Sequence, residues 1–388
     1  MERNDMKAII NATLVMPDYY IFDGAVTFED GKIVAFGEAK DVEIPAGCEI
    51  IDANGLYVGP GLIDEHTHAA AEYKYCDFPE QAANVALAHG VTTALPTVDY
   101  RVKKEDIRGI VSRIEAAMKV CPNIGGINME GPFINPNYGS HKYLLSERGK
   151  ITEEDYREFI DAVKHLVRIW TVAPELPGIR EFVKAAAEAT PGVAFAVGHS
   201  EAAPWDIEAL IPYGLRAATH HTDATGKFHA WPDKEILGVG VDEAVNFNSA
   251  IYAELICDHF GIHVAPYMLR LIRKIKSDER IILISDSTYH PASVTPKEYS
   301  MVTDLNFDAE EEIAGSKVFF DEACQNWIKH TGASIAETFR VASLNPAENL
   351  HFYDRGKIEV GNKADFTIVD DKFNVKKVVI NGELAVEK

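Results

Sequence analysis

The chain has 388 residues, 47% of them hydrophobic, which is too long for one small domain and enough for a large buried core with an appendage. Its 60 Asp and Glu against 38 Lys and Arg give a formal charge of -22, a balance that argues against nucleic acid or an anionic membrane as partner. The five scattered cysteines form no CxxC pair, no apolar segment behind Met1 reads as a leader, and no run is long enough to span a bilayer, so a cytoplasmic protein with free thiols is expected.

Residues 6–57 alternate short β-rich runs (7–10, 24–28, 32–36) with Gly and Asp turns. The apolar run that follows a Pro-Gly turn then ends in His66-Thr67-His68. On a strand, residues i and i+2 share a face, so both imidazoles can aim at one point. Strand-like runs follow at 91–97, 126–130, 170–173, 193–199, 215–220, 245–248 and 280–286, with amphipathic helical stretches such as 154–167 and 179–188 between them. Counting the strand that ends at His68, this makes eight β-then-α units and predicts a (β/α)8 TIM barrel of the α/β class. The last residues return to short β-runs at 365–369, 375–381 and 382–386. The expected organisation is a barrel at 58–350, inserted into a small β-sandwich domain built from both chain ends, 1–57 and 351–388.

Strand after strand ends in a side chain suited to metal or acid–base work: His66 and His68, Glu130, His199, His220 and Asp286. Barrel enzymes keep their chemistry at the C-terminal ends of strands, and charged groups or histidines are poor choices there unless paired or metal-bound. Asp286 alone would equally fit an Asx-turn, and His199 alone a core histidine bonded to backbone; the recurrence over five strands is what points to a metal. His220 and His221 are neighbours and face opposite ways on a strand, so one of them is the ligand. A carboxylate beside a metal-activated water, as Asp286 would be, is well placed as general base.

These segments resemble the N-acetylglucosamine-6-phosphate deacetylase family of the amidohydrolase superfamily. The resemblance rests on PGLIDEHTH (60–68), GVTTALPT (90–97), MEGPF (129–133), APE (173–175), GHS (198–200), ATH (218–220) and AELICDHFGIHV (253–264). It continues through ISDS (284–287), AGS (314–316), ASLNPA (342–347) and GKIEVGNKADFTIVD (356–370). It implies a barrel with a β-sandwich, and Glu130, His199 and His220 as ligands of the catalytic ion. The retained His66 and His68, with Asp286, imply a second ion bridged by Glu130. The metal implied is zinc or iron, as one or two ions. Asp286 is the implied acid/base. His263 polarises the acetyl carbonyl or holds the sugar, and His141 contacts substrate. The substrate is an N-acetyl amino sugar, N-acetylglucosamine 6-phosphate above all, which loses its acetyl group as acetate, and the enzyme is expected to be a homodimer.

One stretch departs from the family. Asp223, followed by Ala224, stands where Asn is usual near the sugar phosphate, and no Arg appears before Asp242. A carboxylate at contact range repels a phosphate by about 1 kcal/mol in water. Lys227, Lys234 and His229 are the nearby cations in sequence. A non-phosphorylated or differently substituted N-acyl amine therefore stays open as the substrate. A non-catalytic binding protein on this fold is disfavoured by the retention of all six ligands.

Overall fold

Eight runs of apolar and small residues, buried on both faces, make one parallel sheet: the burial pattern of strands sandwiched between a core and a layer of helices. In the computed structural model, which describes residues 6–140, 151–228, 238–291, 295–308 and 310–388, these strands are β1 (Leu62–Thr67), β2 (Val91–Val98), β3 (Ile127–Glu130) and β4 (Val167–Val172). They continue with β5 (Ala194–Val197), β6 (Leu215–Ala218), β7 (Tyr252–Ile256) and β8 (Ile281–Ile284). Each strand pairs with the next in chain order, from β1 to β8. The period of two sorts their side chains. Ile282 and Ile284 pack inside with Ile63, Leu95, Ile169, Ala196 and Tyr252, while Ile281 and Leu283 face the helices.

The barrel closes at its mouth. The Asp286 backbone N–H donates to the His66 carbonyl at 2.9 Å, and the N–H groups of His68 and Ala69 donate to the Ser287 carbonyl at 2.9 and 2.8 Å. The seam between β8 and β1 is therefore fastened by His66 near the end of β1 and by the residues just beyond both strands.

One expected strand is a helix. Residues 245–248 fall at the end of the helix Val241–Phe247, which has Asp242 and Glu243 in its first turn and the Gly240 N–H bonded to the Glu243 carboxylate at 2.8 Å. Val241, Ala244 and Val245 share its buried face at helical spacing. Four residues, Val-Asn-Phe-Asn, are too few for a period that would separate the two readings. The seventh strand is instead β7, within the AELI segment. The helix expected at 154–167 spans Glu153–Val163, and Val167 already belongs to β4.

The second sheet joins both chain ends. Its strands Phe366–Val369, Val375–Ile380 and Glu383–Glu387 continue, through Tyr57–Pro60, into Lys7–Val15, Tyr20–Glu29 and Lys32–Glu38, and Glu49–Asp52 pairs with Lys7–Val15. Apolar residues from both ends, including Ile9, Leu14, Phe28, Val58, Phe366 and Val379, form one core beneath it. Burying a side chain such as Phe28 or Phe366 contributes about 2–3 kcal/mol, so the two termini stabilise each other. Two residues after Tyr57–Pro60 the chain enters β1. Among the described residues, no helix is long and apolar enough to cross a membrane.

Candidate metal centre

Where strands end, six side chains converge. Three of them leave their strands abruptly: His199, His220 and Asp286 adopt φ of 47°, 31° and 43°. Such left-handed backbone at a non-glycine residue costs about 1–3 kcal/mol and persists only where the surroundings enforce it. Backbone bonds do so here. Asn135 N–H donates to the His199 carbonyl (2.9 Å), Asp223 N–H to the His220 carbonyl (2.9 Å) and Ser316 N–H to the Asp286 carbonyl (2.9 Å).

The side chains fall into two groups of potential metal ligands, Glu130 with His199 and His220, and His66 with His68 and Asp286. Glu130 Oε1 lies 2.8 Å from His199 Nε2 and 3.3 Å from His220 Nε2. Its Oε2 lies 3.3 Å from His68 Nε2. Asp286 Oδ1 stands 3.4 Å from His68 Nε2 and 3.6 Å from His66 Nε2. Glu130 thus reaches both groups. The structure brings together the six side chains singled out in the sequence, and His221 turns away to face Asn246 at 3.2 Å.

The remaining ring nitrogens decide which atom is free. His199 Nδ1 is 3.3 Å from the Tyr138 carbonyl and His220 Nδ1 is 3.3 Å from the Asp223 carbonyl. A carbonyl only accepts, so each Nδ1 carries a proton and each Nε2 is the atom turned to the centre. His66, fully buried, has neither ring nitrogen in a hydrogen bond among the described residues. His199 Nε2 and His220 Nε2 face each other at 3.0 Å. Converging ring nitrogens, a buried imidazole without a hydrogen bond among the described residues and two carboxylates fit a divalent metal ion.

The electrostatics agree. Burial alone would push the His68 and His220 rings toward neutrality, but the Asp286 and Glu130 carboxylates raise His68, and Glu130, Asp223 and Asp286 raise His220, each to about 10. Burial raises Glu130 and Asp286 in turn, and the surrounding histidines more than reverse it, holding both carboxyls below their ordinary range. Without an ion, His68 and His220 therefore hold protons at neutral pH, and each must give one up when an ion takes its place. Ion affinity is expected to climb as pH rises from 6 to 8, and chelator competition at the two values measures it; a flat profile would contradict the assignment.

Gly139 shows how tightly the centre is enclosed. It sits at φ 94°, and a Cβ there would lie 2.3 Å from His199 Nδ1. Gly139→Ala must move the ring or the loop. We expect it to weaken ion binding about tenfold or more, within the range seen when the support of a metal-binding histidine is lost. Metal content after dialysis checks this.

The centre forms the floor of a cavity of about 770 Å³, walled in part by Lys74, Tyr100, Arg101, Asp223 and Ala224. The Asp223 carboxylate accepts the Ala224 N–H at 2.8 Å, while its main-chain carbonyl faces His220. Lys227 lies in the short strand Lys227–Phe228; its side chain, like all of His141, His229 and Lys234, is outside the described residues. His263 does not line the cavity. Its side chain is buried, with Nδ1 3.4 Å from Asp258 Oδ2.

Several supporting acids had no place in the sequence reading. Asp64 accepts from the Ser285 hydroxyl (2.6 Å) and N–H (3.2 Å) immediately before Asp286, and burial pushes its carboxyl up to about 7. Glu175, in the APE segment, accepts from Asn135 Nδ2 (2.9 Å), the Ser200 hydroxyl (2.7 Å) and the Glu201 N–H (2.8 Å), tying together three loops around His199. Glu65 and Glu254 are fully buried beside His66. Burial and the facing Glu254 keep the Glu65 carboxyl well above the usual range.

A parallel barrel whose strand ends gather histidines and carboxylates, with a sheet made from both termini, defines a metal-dependent hydrolase class. Residues 57–385 match the amidohydrolase family, and the chain belongs to it. It is 26% identical to the N-acetylglucosamine-6-phosphate deacetylase of Haemophilus influenzae over 97% of this chain and 98% of that protein. It is equally, 26%, identical to the N-acetylgalactosamine-6-phosphate deacetylase of Escherichia coli over 96% of this chain and 97% of the relative. The crystal structure of N-acetylglucosamine-6-phosphate deacetylase from Pasteurella multocida superposes with a TM-score of 0.84, at 24% identity, over 98% of this chain and all of that one.

Proposed function

We propose that this amidohydrolase removes the acetyl group from N-acetylglucosamine 6-phosphate, giving acetate and glucosamine 6-phosphate. The observation that carries the reading is Glu130 reaching both ligand groups at the floor of one cavity, with Asp286 beside them; the full-length likeness to amino-sugar-phosphate deacetylases supports the substrate. His199 and His220 with Glu130 would hold one ion, and His66 and His68 with Asp286 a second. Such an ion supplies Lewis acidity, polarising the acyl carbonyl and acidifying a nearby water. Asp286 takes the proton of the water that adds to the carbonyl carbon, then delivers it to the nitrogen as the C–N bond breaks.

Lys74 and Arg101 on the cavity wall are the groups assigned to the phosphate, together with Lys227. Arg101 is tied to Asp99 through its Nε at 2.7 Å, which orients the guanidinium and offsets part of its charge. His263 is assigned to the acyl carbonyl or the sugar; its Nε2 has no hydrogen-bond partner among the described residues. His263→Asn is expected to lower kcat/KM about 10²-fold, the scale of losing one donor to a developing oxyanion, with ion content unchanged. Normal turnover in that variant removes His263 from the reaction.

The Asp223 carboxylate on the wall favours a second reading, a non-phosphorylated or otherwise substituted N-acyl amine. Turnover of N-acetylglucosamine, its 6-phosphate and N-acetylgalactosamine 6-phosphate, with metal measured on the same sample, separates the two. Preference for the unphosphorylated sugar would overturn the first. A cytoplasmic homodimer, with the barrel at 58–350 and the two ends forming the second domain, completes the proposal; a monomer by light scattering would remove the dimer.

A further inference from the structure

On β7, Glu254 shares a face with Tyr252 and Ile256, which pack inside the barrel. An acid is the costliest residue for such a position unless it has a partner. Both Glu254 oxygens are buried and without a hydrogen bond among the described residues. Oε2 stands 3.5 Å from His66 Nδ1, itself unpartnered, and both side chains have no exposed surface. On its other flank Glu254 meets Glu65, whose Oε1 is anchored by Asn349 Nδ2 at 2.8 Å. His199 and His220 turn their Nδ1 atoms to main-chain carbonyls; His66 alone of these three turns it to a buried side-chain carboxylate.

We propose that Glu254 is the positioning residue of the second ion site: it accepts the His66 Nδ1 proton, orients the ring with Nε2 toward Glu130 and Asp286, and thereby sets whether the chain holds one ion or two. A carboxylate is a stronger acceptor than a carbonyl and makes the imidazole it holds a better ligand. The position is selective. Glu254 touches the half of the centre built on β1 and leaves the His199–His220 half to its own backbone partners. The inference rests on the two-ion reading above.

The test is a zinc titration of the metal-free full-length chain against a chromophoric chelator, for wild type, Glu254→Gln, Glu254→Leu and Glu65→Gln. Cobalt loading, followed by visible absorption, reports each half separately. Wild type is expected to take two ions. In Glu254→Gln the second ion should bind 10–100-fold more weakly, the usual effect of losing a residue that orients a metal-bound histidine, with the first constant unchanged. Glu254→Leu should lose the second ion. Glu65→Gln, which leaves Glu254 facing His66, should keep both constants. A Glu254→Gln protein that binds the second ion as tightly as wild type would overturn the proposal. So would equal weakening of both ions, which is what a general folding defect produces. A wild type that takes one ion only would instead overturn the two-ion reading, and the role of Glu254 with it.

Discussion

Asp286→Asn is expected to lower kcat about 10³-fold, within the range of losing a positioned general base, while the protein stays folded. Asparagine has nearly the shape of aspartate but cannot take a proton from water. The backbone that holds residue 286 in place is untouched by the change, because its N–H still reaches the His66 carbonyl and its carbonyl still accepts from Ser316. The ion held by Glu130, His199 and His220 should remain, since Asp286 belongs to the other group. Steady-state kinetics and metal content on one preparation decide the matter. Turnover within tenfold of wild type would mean that another group moves the proton.

Glu130→Gln should have the larger effect on metal. Glu130 faces His199, His220 and His68 at 2.8 to 3.3 Å, and His66 at 3.8 Å. Its removal takes an anionic ligand from both groups at once. Ion affinity should fall about 100-fold or more at each half, the upper range for damage to a metal-binding network, and turnover should fall with it. The metal-free protein should suffer as well. Breaking a buried pair by removing one partner costs about 3–5 kcal/mol, and here the histidines would be left close together without their counter-charge. The sign is definite: the histidines hold the Glu130 carboxyl below its ordinary range, so the metal-free wild type should outlast Glu130→Gln at neutral pH and lose that advantage as the pH falls below about 4. Denaturant melts at pH 7 and pH 3 measure it. Equal stability at both would contradict the ion-pair account.

Most of this centre was legible in the sequence because a barrel exports one kind of information well. A strand reads as an apolar run, and the first polar residue past its end lies at the mouth; His199, after Ala194–Val197, shows this directly. Glu254 was hidden for the opposite reason. It sits in the middle of a strand, inside an apolar segment, and nothing in spacing separates a supporting acid from a stray one. Glu65 was masked by the two histidines that follow it. Residues 245–248 misled because Val245 and Phe247, alternating with two asparagines, read as a strand over so short a window, and the acidic first turn at Asp242 and Glu243 was the signal that could have settled it. The Asp258 carboxylate beside the buried His263 Nδ1 is a partner that motif position alone does not reveal.

The seam of the barrel has a consequence of its own. The ring of strands is latched by His66, His68, Asp286 and their neighbours, through main-chain bonds at the same spot where their side chains gather. Anything that draws those side chains together also tightens the latch, and anything that drives them apart strains the hoop at that fastening. Loss of the captured cation would therefore be felt first along the junction of the opening and closing strands, as faster amide exchange there, before the far side of the cylinder registers any change.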